Sequence, residues 1–318
     1  MRAAAIDRFG KPDLLKLHVL PTPEIDPSEV LIAIHTAGVG SWDAEIRGGW
    51  WPGDGRPKFP LVLGTDGSGT VVAVGSKVRR WSVGDTVYAY SFSNTKGGFY
   101  AEYVAVDAEK VGRPPKMLDL EEAGGLTVVG LTALQGIDDT LSVKRGENVV
   151  VHGASGGVGS VALQFAKMRG ARVLATASGR DGMALVRRLG ADAAADARRD
   201  DLKAAALAFA PNGVDAVLAL AGGKPLTRLL DAVRRGGRVA FPNGVDPAPR
   251  KRAGVSVKAY DGTAGVREFE RLGRAIEAAR LTVQIAAAYP LRQAAKAQAR
   301  IEKGHVLGKV VLRISGRT

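Results

Sequence analysis

Val149-Val150-Val151-His152-Gly153-Ala154-Ser155-Gly156-Gly157-Val158-Gly159-Ser160-Val161-Ala162-Leu163-Gln164 reads as an apolar strand, a glycine-rich turn and the opening of a helix. The order matters, because a glycine pattern acquires meaning only when a strand feeds it and a helix leaves it. Glycines let the backbone turn tightly and approach a pyrophosphate, whose charge is stabilised by free N–H groups and the positive helix end. Gly153, Ala154, Ser155, Gly156, Gly157, Val158 and Gly159 are therefore expected to cradle the pyrophosphate of a dinucleotide.

Outward from this turn the texture is uneven. Residues 172–175, 216–219, 238–241 and 255–258 are further short apolar runs, suited to strands covered on both faces. With helical patterns between them, as at residues 160–169, they predict βαβ units on a parallel sheet from about Leu126 onward. Upstream, residues 2–7, 29–37, 67–74, 86–90 and 100–106 are β-rich and separated by Gly and Pro, which predicts a barrel-like or sandwich-like domain. Near the end, residues 266–280 and 291–303 have helical spacing and residues 308–314 read as a strand. The Ala-rich residues 191–206 are the only low-complexity segment.

The choice of dinucleotide is read at the end of the next strand, where NAD sites commonly place an acid for the ribose 2′-hydroxyl. Here that end is Leu174-Ala175-Thr176-Ala177-Ser178-Gly179-Arg180-Asp181, with no acid at its tip. Ser178 offers a hydroxyl and Arg180 a charged fork suited to a phosphate, so NADPH is the expected cofactor. The competing reading is a solvated turn in which Asp181 caps the next helix.

Composition narrows the classes. At 318 residues the chain is long enough for two domains, and 46% hydrophobic with 24% charged residues fits a globular protein with a real core. The sequence lacks cysteine, which removes disulfides, thiolate nucleophiles and thiolate-bound metals. Four histidines, His18, His35, His152 and His305, show no paired helical spacing. No run approaches the roughly 18 apolar residues of a membrane span, and Met1-Arg2-Ala3-Ala4-Ala5-Ile6-Asp7 is no signal peptide, so a cytoplasmic protein is expected. The net charge of +13 invites a nucleic-acid reading, but the basic residues are scattered and sparsely interleaved with aromatics. The expected partner is a small molecule, with neither a membrane nor a nucleic acid.

Several segments resemble the medium-chain dehydrogenase/reductase family and its zinc-free quinone oxidoreductase branch. They are Ala37-Gly38-Val39-Gly40-Ser41-Trp42-Asp43, Pro60-Leu61-Val62-Leu63-Gly64-Thr65-Asp66-Gly67-Ser68-Gly69, Val83-Gly84-Asp85-Thr86-Val87, Gly130-Leu131-Thr132-Ala133-Leu134, the turn at residues 153–159, and Gly304-His305-Val306-Leu307-Gly308-Lys309-Val310-Val311-Leu312. The resemblance implies an α/β protein with a Rossmann doubly wound parallel sheet and a GroES-like β-rich catalytic domain. Its divisions would be residues 1–124 for the catalytic domain, 125–262 for the Rossmann domain and 263–318 for a return to the first, with the active site in the cleft between them. In zinc-dependent relatives the catalytic ligands fall at positions that look like Gly40, Thr65 or its neighbour Asp66, and Val128. Glycine and valine carry no ligand atoms, so no metal is expected. The chain departs from the branch at Gly40, where Asn is frequent, and at Glu45, where Tyr is frequent. A Lys and a Tyr that some relatives direct at the 2′-phosphate correspond to Gly182 and Ala197, leaving that task to Ser178, Arg180 and Arg198. Thr132 matches a position beside the nicotinamide ring, and Phe241, Asn243 and Gly244 follow a strand whose loop lies near the same ring. The resemblance also implies a homodimer paired through the Rossmann sheets.

The expected reaction follows from what is missing. Without a metal to acidify an alcohol, the acceptor must already be electrophilic, a quinone or an α,β-unsaturated carbonyl. Ser41, Trp42, Trp50 and Tyr90 are the expected acceptor pocket, with Trp51, Tyr88 and Phe92 as further aromatic walls. Gly48-Gly49-Trp50-Trp51-Pro52-Gly53-Asp54-Gly55 reads as a lid. No Ser/His/Asp or Cys/His set appears, so catalytic side chains stay unassigned. Two other functions share this fold pattern: an enoyl-thioester reductase and a non-catalytic NADPH-binding or RNA-binding protein.

Overall fold

The computed structural model describes every residue except 52–54, 93 and 315–318. In chain order its elements are β1 (Arg2–Ile6), β2 (Lys16–Val19), β3 (Glu29–Val39), α1 (Ser41–Gly48), β4 (Leu61–Val62), β5 (Asp66–Val74), β6 (Thr86–Tyr90), β7 (Tyr103–Asp107), β8 (Val111–Gly112) and α2 (Leu120–Gln135). There follow β9 (Asn148–His152), α3 (Gly157–Met168), β10 (Arg172–Ala177), α4 (Gly179–Arg188), β11 (Ala193–Asp196), α5 (Leu202–Phe209), β12 (Val214–Ala219), α6 (Lys224–Leu229), β13 (Val233–Pro242) and β14 (Ser256–Tyr260). The chain ends with α7 (Val266–Ala279), β15 (Ile285–Pro290), α8 (Ala294–Glu302) and β16 (Lys309–Arg313).

Two compact units share the chain. The first takes Met1–Val128, Ala264–Arg274 and Ile285–Thr318; the second takes Val129–Thr263 and Ala275–Gln284. In the first, β15-β16-β3-β5-β6-β8 form one sheet in that order, with β7 also paired to β3, and β2-β1-β4 form a small second sheet. The eleven-residue β3 shows why this part is β-rich. Along its first half Val30, Ile32 and Ile34 are buried while Leu31, Ala33 and His35 are half-buried, the period-two pattern of a strand with one face on a core. β16 pairs with the end of β3, setting Val310 against Val39 and Leu312 against Ala37, so a strand from the far end of the chain completes this sheet.

The second unit is a six-stranded parallel sheet in the order β11-β10-β9-β12-β13-β14. Val149, Val150 and Val151 are all fully buried, as a strand covered on both faces requires. The chain steps from β9 to β10 and β11 on one side, then returns on the other with β12, β13 and β14. That reversal makes a crevice at the carboxyl ends of β9 and β12, where ligands of such sheets bind. β14 is an edge strand.

Candidate functional site

The glycine turn sits at the carboxyl end of β9, and its geometry is fixed by β10. Gly153 adopts φ +84, a conformation that favours glycine, and its N–H donates to Thr176 Oγ1 at 3.1 Å. The next amide, of Ala154, donates to the Thr176 carbonyl at 2.8 Å. Thr176 Oγ1 also lies 2.8 Å from His152 Nδ1. Burial pushes the His152 ring down to about 4, so it is neutral at ordinary pH. Thr176 Oγ1, which accepts from Gly153, has one hydrogen and a second lone pair left for that ring nitrogen, so the contact is met in either neutral tautomer of His152.

The remaining glycines do two different jobs. A Cβ on Gly159 would stand 2.3 Å from the Gly153 carbonyl oxygen, so α3 approaches the turn as closely as glycine permits. A Cβ on Gly156 would meet only that same oxygen, at 3.6 Å, so this side of the turn is open. Gly156 is the N-cap of α3 and supplies no side-chain cap. The first amides of a helix have no intrahelical acceptor, and those of Gly157, Val158 and Gly159 thus face outward beside open space. An open cradle and uncapped amides fit a pyrophosphate.

At the tip of β10, Ser178 is half-buried and caps α4 only by its backbone, while Arg180 on α4 is exposed and, among the described residues, has no ion pair. Sequence reasoning missed an acid here. The parallel register of β10 and β11 sets Asp196 beside Ala177, and its carboxylate accepts the Gly179 N–H at 3.3 Å and the Arg198 N–H at 2.9 Å. The tip of β10 carries no acid of its own, but the neighbouring strand brings one. The signal was the Asp that closes the alanine run of β11.

Thr132 and Asn243 are drawn together by one segment. Tyr260 donates its hydroxyl to the Thr132 carbonyl at 2.9 Å, the Asn243 N–H donates to the Tyr260 carbonyl at 3.0 Å, and Asn243 Nδ2 donates to the Asp261 carboxylate at 2.8 Å. Phe241, half-buried on β13, packs against the sheet core.

In the first unit, Ser41 is exposed at the start of α1 and Trp42 beside it is half-buried. The Trp42 Nε1–H donates to Thr65 Oγ1 at 2.8 Å, and the Lys309 ammonium lies 4.8 Å from the indole centroid. Asp43, fully buried, accepts the Gly40 N–H at 2.8 Å and the Tyr100 hydroxyl at 3.0 Å. Burial pushes its carboxyl up to about 7, against the pull of those donors and of Lys309. Asp66, also fully buried, is raised by the same desolvation, while Lys309, the Val128 N–H at 3.2 Å and the Thr65 hydroxyl oppose the shift. Asp43 Oδ1, Asp66 Oδ1 and Lys309 Nζ have no hydrogen-bond partner among the described residues. Trp50, Phe92 and Tyr90 form a row, with ring centroids 5.8 Å and 6.4 Å apart. Tyr88 is not a pocket wall: it is fully buried 4.9 Å from the Phe269 ring, because its strand turns that position inward. The expected lid lies partly outside the described residues.

Residues 26–116 match the alcohol dehydrogenase GroES-like domain family, and residues 189–312 match the zinc-binding dehydrogenase family. Quinone oxidoreductase from Sus scrofa is 32% identical, with 98% of this chain and 97% of that protein covered. The chloroplastic NADPH-dependent alkenal/one oxidoreductase of Arabidopsis thaliana is 31% identical over 98% of this chain and 79% of its own length. Among solved structures, an NAD-dependent alcohol dehydrogenase superposes with a TM-score of 0.91 at 30% identity, covering 99% of this chain and all of that one. A mycobacterial protein complexed with NADPH does so with 0.85 at 28%, again over 99% of this chain and all of that one. The chain belongs to the medium-chain dehydrogenase/reductase superfamily, in its quinone oxidoreductase branch. It is an oxidoreductase with the α/β fold of that superfamily, a parallel sheet joined to a GroES-like β-rich domain, and an NAD(P)-type dinucleotide is its supported cofactor class.

Proposed function

We propose that the protein transfers a hydride from NADPH to a quinone or an α,β-unsaturated carbonyl without zinc. The observation that carries this reading is the α3 turn, whose open Gly156 and uncapped amides suit a pyrophosphate. When bound, the nicotinamide supplies the hydride. The chain's own residues hold the rest of the site. Thr176 and His152 hold the first turn amide in place, and Thr132 and Asn243 are held together around Tyr260. Ser178 and Arg180 suit the 2′-phosphate, while Asp196 on the Gly179 amide works against it. Ser41, Trp42, Trp50 and Tyr90 are read as the acceptor pocket. A quinone that gains a hydride becomes a hydroquinone anion, and a proton from water completes the reduction. At the positions of Gly40 and Val128 no side chain offers a metal ligand, which supports the zinc-free part of the reading. Pairing of two copies along the free edge of β14 belongs to the same reading, with light scattering as its check.

The deciding experiment is a turnover screen of NADPH and NADH against quinones, enones and enoyl thioesters, with metal analysis of the purified protein. NADPH oxidation by quinones or enones is expected. Turnover of enoyl thioesters alone, no turnover at all, or about one tightly held zinc per chain would each refute the corresponding part.

A further inference from the structure

Gly40 and Trp42 exclude one another's bulk. A Cβ on residue 40 would stand 2.3 Å from two atoms of the Trp42 indole and 2.7 Å from a third, far inside van der Waals contact. The backbone at Gly40, with φ −112 and ψ 163, is one any residue adopts, so what forbids a side chain there is the indole. The ring is tied in place by its bond to Thr65 and its stacking on the Lys309 ammonium. Thr65 in turn bonds Asp66, which accepts the Val128 amide. One indole therefore fills the space at position 40 and is linked to positions 65, 66 and 128, the set where the zinc-dependent relatives are expected to carry their ligands. The ammonium under the ring, Lys309 Nζ, is buried and has no hydrogen-bond partner among the described residues, so the ring rests on charge rather than on loosely packed hydrocarbon.

We propose that Trp42 is a specificity-determining residue: its indole occupies the volume a metal-binding side chain at position 40 would need, and presents the wall that selects acceptors by size. The inference rests on the proposed zinc-free reduction and names the side chain behind it. Trp42 is only half-buried, so the residue keeps exposed surface. A bulky acceptor meets that fixed face, whereas a small one passes it. A carbonyl that needs a Lewis acid finds no room for one.

Two measurements test this. The first is thermal unfolding of Gly40→Ala in the wild-type and in the Trp42→Ala background. Gly40→Ala is expected to be strongly destabilising, or not to fold, beside the indole, and to be tolerated once the indole is gone; equal losses in both backgrounds overturn the exclusion. The second compares 1,4-benzoquinone with 9,10-phenanthrenequinone, by kcat/KM with NADPH. Trp42→Ala is expected to shift that ratio about tenfold toward the larger quinone, a pocket-size effect of ordinary magnitude, while Trp42→Phe, which keeps a ring, leaves it close to wild type. If the wild type turns over neither quinone, the proposed reaction fails, and the same ratio is read from equilibrium binding to the NADP⁺-loaded protein. An unchanged ratio in Trp42→Ala by either readout overturns the specificity role.

Discussion

His152 Nδ1 and Thr176 Oγ1 stand 2.8 Å apart under the glycine turn, and the hydroxyl between them holds the Gly153 amide. Removing that hydroxyl leaves a half-buried amide and a buried ring nitrogen without this partner, the ring nitrogen alone costing about 1–3 kcal/mol. Thr176→Val is therefore expected to lower the melting temperature and to weaken NADPH binding by about tenfold or more, as read by fluorescence titration. Thr176→Ser, which restores the hydroxyl, should recover most of both. A Val variant with wild-type affinity would show that the turn is held without this bond.

Positions 156 and 159 should respond in opposite ways. At Gly156 there is room and an ordinary φ of −80, and an aspartate N-cap stabilises a helix by about 1 kcal/mol. The same carboxylate takes the α3 amides that a pyrophosphate would use. Gly156→Asp should leave the apo protein at least as stable and abolish measurable cofactor binding. Gly159→Ala, whose methyl meets the Gly153 oxygen at 2.3 Å, should instead destabilise the apo protein by about 1–3 kcal/mol. Calorimetry and cofactor titration on the two variants separate packing from recognition.

Cofactor preference is expected to be set by two opposed side chains. Arg180→Ala removes a charged partner for a phosphate and should weaken NADPH about tenfold or more with little effect on NADH. Asp196→Asn keeps an acceptor for the Gly179 amide but removes the negative charge, and should raise the preference for NADPH. Dissociation constants for both cofactors decide the matter: no change in the ratio in either variant removes both residues from the 2′-phosphate site.

Two buried groups should tilt stability with pH in opposite directions. The folded-state value of His152 is depressed from 6.5 to about 4, so its contribution is complete above about 6.5 and is lost as pH falls through 4. That of Asp43 is raised from 3.8 to about 7, so its contribution is complete below about 3.8 and is lost as pH rises through 7. Between roughly 4 and 6.5 the two oppose one another and flatten the wild-type profile. Asp43→Asn removes the falling limb, so the variant should gain stability relative to wild type as pH is raised from about 5 to 8. A difference in melting temperature that does not vary with pH would contradict the raised carboxyl.

The sequence was most legible where one physical cause dominates. β9 is legible to within a residue of its observed bounds because three consecutive valines admit little but a doubly covered strand, and the glycine turn follows from the helix that it opens. Less visible were elements whose pattern is silenced by burial or brevity. α2 is apolar nearly all round, with Leu126, Val128, Val129, Leu131 and Leu134 all buried, so no polar stripe marks it as a helix. α1 has a glycine as its N-cap, and the Asp43 bond back to the Gly40 amide, which closes its first turn, shows only in three dimensions. β11 is three alanines and an aspartate, weak strand formers that become a strand through pairing with β10. Asp196 was lost with it. The Trp42–Gly40 exclusion was hidden because neighbours in sequence compete there for one volume in space.

The return of β16 to pair with β3 has a consequence for how the chain is made. The second unit needs nothing beyond Gln284, so all of its strands have left the ribosome while the first is still short of two. Residues 309–313 must emerge before the edge of β3 away from β5 gains its partner along Thr36–Val39, a pairing that closes a loop of some 270 residues. Until then the apolar end of β3 is an open template, and birth order leaves the first-made strands waiting for the last-made one.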